Sequence, residues 1–196
     1  MKSDTNIEAR RLILQDELDA AKSSKERNQL GQFATPTRLA SDVLAYAHAL
    51  MPPGAAVRFL DPAIGTGSFY SALLREFRDR RIETATGFEI DPHYEKPTRT
   101  LWREHPLDLK LADFTTAPPP GKGEGYNLII CNPPYVRHHH LDRAAKRRLL
   151  TATSAASGVQ MAGLAGLYCY FLGLSHAWME PGGDRKSTRL NSSHAN

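Results

Sequence analysis

Apolar positions along the chain change their spacing twice. From Ile7 to Asn28 they recur at helical intervals, with Ile7, Leu14 and Leu18 set among acid–base pairs, which predicts a charged helix. "GQFATP" at 31–36 breaks that pattern. It resumes over Thr37 to Leu50 with Leu39, Val43, Leu44 and Ala47 on one face, and "MPPG" at 51–54 stops it. Short apolar runs then alternate with amphipathic stretches. Strands are predicted at 56–61, 85–91, 107–114 and 126–131, with a helix at 70–81 and a broken helix at 92–105. A glycine-bearing turn fills 62–69 and a Pro/Gly-rich loop 115–125. After Val136 the rhythm is lost in "RHHHLDRAAKRRLL", a loop of small residues, an apolar helix over about 163–180 and "EPGG".

Strands alternating with helices of this length predict a parallel, doubly wound α/β sheet, which binds ligands outside the carboxyl ends of its strands. Asp61, Glu89, Asp113 and Asn132 each fall at such an end. No internal repeat is present. At 196 residues, 41% hydrophobic and 23% charged, the chain has the composition of one α/β domain with a real core. Cys131 and Cys169 form no metal or redox spacing, which suits a reducing compartment. No signal-peptide pattern opens the chain. The stretch 161–179 is nearly long enough to raise a membrane, yet its three glycines, Ser175, His176 and two tyrosines favour a helix packed on the sheet. The net charge of +4 is weak evidence for a polyanion partner, because Arg185, Lys186 and Arg189 against Asp184 supply half of it.

In "DPAIGTGSF" the glycines Gly65 and Gly67 let backbone approach a ligand, and the following helix offers its amino-terminal amides. A tight turn with no ligand looks the same. Glu89 ends the next strand, near the spacing of an acid that grips ribose hydroxyls. Phe69 and Tyr70 replace the third glycine of a dinucleotide motif, so the pocket suits a nucleoside with a small charged arm. Asp113 can accept from an exocyclic amine while Phe114 stacks on a heterocycle, although Asp-Phe after a strand is usually ordinary core and loop. In "NLIICNPPYV" Asn132 and the Pro133 carbonyl are two acceptors held by Pro133 and Pro134, whose rings fix φ, and Tyr135 adds a flat face. Together they form a site for a planar NH₂ group; alone, the tetrapeptide is equally a structural turn.

His138, His139 and His140 are adjacent and no acid or Cys cluster joins them, so a polar lip is favoured over a metal site. Arg143, Lys146, Arg147 and Arg148 suit either the phosphates of a polyanion or a solvated helix face, and Trp102 suits packing.

"GQFATP", "DPAIGTGSF", "GFEIDP", "LADF" and "NPPYV", in this order, resemble the N6-adenine DNA methyltransferases of bacterial restriction–modification systems with gamma-type motif order, over about residues 28–183. The resemblance implies a Rossmann-like class I fold with about four parallel strands present and S-adenosylmethionine as cofactor, with no metal. It implies that Asp61 and the turn residues Ala63, Gly65, Gly67, Ser68 and Phe69 hold the methionine end. Glu89, with Ile90 beside it, holds the ribose, and Asp113 with Phe114 the adenine; Phe33, Thr35 and Pro36 close over the cofactor. Asn132, Pro133, Pro134 and Tyr135 carry catalysis on an adenine flipped out of double-stranded DNA. A restriction or specificity subunit is an implied partner, and the bacterial cytoplasm the implied location. Protein-glutamine methyltransferases share Asn-Pro-Pro-Tyr but lack the early segment; RNA adenine methylation is a closer rival, and a defective cofactor-binding fragment is the non-enzymatic one.

The resulting division is an N-terminal helical segment (1–54), a partial catalytic domain (55–183) and a tail (184–196). "DRKSTRLNSSH" resembles one translated frame of a common sequencing adapter. The tail is therefore expected to be non-native, and the chain truncated and inactive as it stands.

Overall fold

The computed structural model describes residues 2–180. The expected tail at 184–196 lies outside them. Three helices lead the chain, α1 (Lys2–Ala20), α2 (Ser24–Leu30) and α3 (Thr37–Leu50), followed by β1 (Val57–Asp61), α4 (Ser68–Glu76), β2 (Ile82–Glu89), α5 (Pro92–Trp102), β3 (Asp108–Leu111) and β4 (Leu128–Ile129). Helices α6 (Arg143–Ser157) and α7 (Leu167–Ser175) end the series. All strand pairs are parallel and the order is β3-β2-β1-β4. Tyr126 also bridges Met179 in parallel, outside the named strands.

The sheet is buried on both faces, as parallel sheets require. Val57, Phe59, Ala85, Leu109 and Leu128 face one core with Tyr70, Phe77 and Trp102 from α4, α5 and the turn between α4 and β2. Leu60 and Phe88 face the other, with Phe114, Leu149, Tyr170, Phe171 and Trp178. Among the described residues no helix is long and apolar enough to cross a membrane.

Several boundaries differ from expectation. The buried face of α3 is Ala40, Val43, Leu44 and Ala47, whereas Leu39 is exposed; the spacing i, i+3, i+4, i+7 selects Ala40. α4 stops at Glu76, and β2 begins at Ile82 and ends at Glu89 rather than spanning 85–91. α5 runs unbroken through Pro97, because burial of Tyr94, Thr98, Leu101 and Trp102 outweighs one lost backbone bond. β3 is shorter than 107–114, since Asp113 caps a 3-10 turn at Phe114–Thr116. β4 is only two residues long, but its pairing is extended by the Asn127 side chain, which accepts from Arg58 N (2.9 Å) and donates to Ala56 O (2.9 Å). The small-residue stretch is a loop only from Gly158 onward; its first part, 151–157, is helical. That part completes α6, which ends at Gly158 with φ 69°, and its Thr153 lies against Gly173 of α7, where a Cβ would meet Thr153 Cγ2 at 2.2 Å.

Candidate functional site

At the carboxyl end of β1 the chain turns sharply from Asp61 through Gly67 into α4. Gly67 has φ 88°, and a Cβ there would lie 2.7 Å from Trp102 Nε1. The carbonyls of this turn are held from α5: Trp102 Nε1 donates to Thr66 O (3.0 Å) and Thr98 Oγ1 to Gly65 O (3.1 Å). Trp102 is packing, as expected, and it also orients the turn.

Asp61 is 1% exposed and accepts from Ala63 N at 3.1 Å. Burial, reinforced by Glu89, pushes its pKa up to about 8 despite that bond. Glu89 is buried too. Its carboxylate accepts from Asp91 N (2.8 Å) and Gly65 N (3.2 Å), and burial raises its pKa, partly offset by those amides. Two buried acids at adjacent strand ends make a place for a ligand with a cationic group and hydroxyl donors.

"GQFATP" reaches over this turn from the N-terminal segment. Thr35 is buried, Phe33 is exposed at the rim, and Pro36 stands exposed as the residue preceding α3. Gly31 has φ 63°, and a Cβ there would lie 2.4 Å from Tyr135 N. Asn132 Nδ2 donates to Phe33 O at 3.1 Å, which orients the amide and turns Oδ1 away from Phe33. The rings of Phe33 and Tyr135 meet edge to face at 6.2 Å, and Tyr168 lies 6.4 Å beyond Tyr135 at 37°.

A cavity of about 40 Å³ sits between these parts, lined by Phe33, Thr35, Asp61, Ala63, Gly65, Ser68, Phe69 and Asn132 among the residues expected from the sequence. That is far smaller than small-molecule pockets, which run from about 300 Å³. Gly67 lies within the turn and Glu89 behind it, bonded to Gly65 N; neither lines the cavity. Ile90 is exposed at the strand end, outside the cavity. Asp113 and Phe114 lie just past the end of β3, outside the cavity lining. Asp113 Oδ1 accepts from Thr115 N and Oγ1 (both 2.8 Å), and Oδ2 faces Arg148 at 3.8 Å. Phe114 is 3% exposed and packs among Phe88, Phe171 and Trp178, so its ring works in the core rather than as an open stacking wall. A larger hollow of about 610 Å³ lies on the α6–α7 face near the start of the strands; Arg58 and Lys110 there are paired with Glu180 and Asp108, and none of the motif residues lines it.

Residues that periodicity missed come from α1. Gln15 lines the cavity, and Arg11, 1% exposed, donates to Thr66 Oγ1 (3.2 Å), Ser68 Oγ (3.0 Å) and Glu8 (2.7 and 2.8 Å). Burial opposes the charge on Glu8, but bonds from Arg11, Ser71 and Thr37 outweigh it and bring its pKa down to about 2. Of the basic residues in the α6 region, Arg148 is committed to Thr115 O (2.7 Å). His139 and His140 have ring centres 4.2 Å apart, and no group of three or more His, Cys, Asp or Glu among the described residues is arranged to hold a metal ion.

No family profile matches the chain. It is 27% identical over 146 residues to the type II methyltransferase M.XamI of Xanthomonas campestris pv. amaranthicola, covering 72% of this chain and 26% of that protein. It is 32% identical over 113 residues to the type II methyltransferase M.CvrRI of Paramecium bursaria Chlorella virus XZ-6E, covering 58% of this chain and 26% of that one. The chain thus spans about a quarter of the length of these relatives. A solved structure from Listeria monocytogenes, described as a class I S-adenosylmethionine-dependent methyltransferase, superposes with a TM-score of 0.65 at 15% identity, covering 92% of this chain and 52% of that one. The methyltransferase subunit of a type I restriction–modification system from Streptococcus thermophilus gives a TM-score of 0.56 at 19% identity, covering 76% and 32%. The fold is that of the class I S-adenosylmethionine-dependent methyltransferases, and the sequence is similar to type II methyltransferases.

Proposed function

We propose that this chain carries the cofactor site and the catalytic turn of an S-adenosylmethionine-dependent DNA methyltransferase acting on the N6 amine of adenine. The observation that carries this reading is the docking of "GQFATP" on "NPPY": one segment roofs a pocket lined by buried Asp61, with Glu89 behind its turn, and through Phe33 O orients the amide that faces the substrate.

The residues present fit the cofactor. Asp61, buried without a cationic side chain among its hydrogen-bond partners, suits the ammonium, and Glu89 suits the ribose hydroxyls. Bound there, S-adenosylmethionine supplies an electrophilic methyl group on a sulfonium. Asn132 Oδ1 and the Pro133 carbonyl accept from the target amine and draw it toward tetrahedral geometry, so that its lone pair faces that methyl. Tyr135 stacks on the flipped base, with Pro134 fixing the turn between ring and acceptors. Positioning and electrostatics do the work. Burial pushes the Cys131 thiol well above its ordinary range, so it offers no thiolate nucleophile beside Asn132.

Double-stranded DNA is the proposed substrate, in a bacterial cytoplasm, with a restriction or specificity subunit as partner. In the full-length enzyme Asn132→Ala should lower methyl transfer to duplex DNA by about 10²–10³-fold, the scale of one lost electrostatic contact to the reacting group, with cofactor affinity nearly intact. Near-normal turnover of that variant would end the mechanism, and a preference for RNA over duplex DNA would move the reading to RNA adenine methylation.

A further inference from the structure

We propose that Gln15 of α1 is a direct contact of the amino-acid end of the cofactor, with Arg11 the positioning residue behind it. The inference rests on the cofactor reading above and adds a side chain from outside the recognised motifs.

An α-amino acid presents an ammonium and a carboxylate together. Asp61 answers the first; the second needs donors across the same cavity. Gln15 lines that cavity with Thr35, Thr66 and Ser68. Arg11 donates to Thr66 Oγ1 at 3.2 Å, so the Thr66 hydroxyl hydrogen is turned away and is donated to Gln15 Oε1 at 2.6 Å. That bond fixes which end of the amide is the acceptor. Nε2 then gives one hydrogen to Asp19 Oδ1 at 2.9 Å, itself held by Tyr94 Oη at 2.8 Å, and keeps a second hydrogen for a ligand. The relay Arg11–Thr66–Gln15 thus makes a neutral, oriented donor opposite the acid. Arg11 cannot serve directly: its guanidinium is 1% exposed and already bonded to Glu8, Thr66, Ser68 and Thr37.

Calorimetric titration of the chain with S-adenosylhomocysteine and with 5′-methylthioadenosine, which lacks the amino-acid group, tests this. Gln15→Ala should weaken S-adenosylhomocysteine about tenfold, the scale of one hydrogen bond, and leave 5′-methylthioadenosine unchanged. Gln15→Glu should weaken the first ligand further, because it sets a carboxylate against a carboxylate. Arg11→Lys, which keeps the charge but loses the fork, should give the same ligand-selective loss. Equal loss for both ligands, or none for either, overturns the assignment of Gln15. Failure of the unsubstituted chain to bind either ligand overturns the cofactor reading itself, and the Gln15 contact with it.

Discussion

Around the glycine turn every polar side chain that shapes the site is buried: Arg11, Gln15, Asp61 and Glu89. Around the Asn-Pro-Pro-Tyr turn the rings stand open, with Phe33 55%, Tyr135 40% and Tyr168 46% exposed. On the function proposed above, the difference follows from what each half would hold. A small ligand with a charged end is gripped best by preorganised groups in a dry place, where each electrostatic contact is strong. A base that must leave a duplex, react and return is better met by exposed aromatic faces, which stack without demanding a closed pocket. The halves are joined by the "GQFATP" segment, through Asn132 Nδ2 to Phe33 O and through Tyr135 N to Gly31 O at 3.4 Å.

Removing Arg11 is the harshest way to break the buried half. Arg11→Met leaves Glu8 buried with its main cation gone, and stability should drop by about 3 kcal/mol, read as a lower denaturant midpoint. A loss within experimental error would mean the pair is dispensable to the fold.

Gly31→Ala attacks the joint instead. It combines a left-handed φ with a Cβ 2.4 Å from Tyr135 N, so the loop must lift from the Asn-Pro-Pro-Tyr turn. The expected cost is about 1–3 kcal/mol, with faster proteolysis near residues 28–36. Unchanged stability and protease resistance would show that the two halves are not coupled through this contact.

Asp61 sharpens the contrast through pH. Its pKa rises from the ordinary 3.8 to about 8 on burial, so the folded chain keeps a proton that the unfolded chain loses. The stabilisation from that proton is complete below about pH 4 and is lost as pH rises through about 8. Asp61→Asn should therefore outlast the unsubstituted protein in denaturant at high pH, with the gap closing toward pH 4, while losing cofactor affinity. Cofactor binding to the unsubstituted chain should release a proton near neutrality, and titrations in buffers of different ionisation enthalpy would detect it. A pH-independent gap sinks the assignment.

The open half should respond least in stability. Tyr135→Phe keeps the ring and should change stability by less than about 0.5 kcal/mol and base capture only slightly. Tyr135→Ala should weaken capture of a flipped base, followed by 2-aminopurine fluorescence in a duplex. Equal behaviour of the two variants would remove stacking as the role of Tyr135.

Local chemistry made much of this legible in the sequence. Period-2 runs, the glycine turn and the acids after apolar strands depend on residues close in the chain, so the parallel sheet and the placement of Asp61 and Glu89 at strand ends could be read directly. Tertiary structure decided the rest. How deeply Phe114 sits was one such point: the capped 3-10 turn after β3 and the aromatic cluster with Phe171 and Trp178 bury its ring. The small residues at 151–157 looked like a loop until packing against Gly173 made them helix. Arg11 and Gln15 were illegible for the deepest reason. A charged or amide residue on a helix reads as solvent-facing, yet Arg11 is 1% exposed. Glu8, three residues before it, balances the charge, but Thr66 and Ser68, which complete its bonding, lie 55 and 57 residues away, and only the folded sheet brings their hydroxyls to its guanidinium.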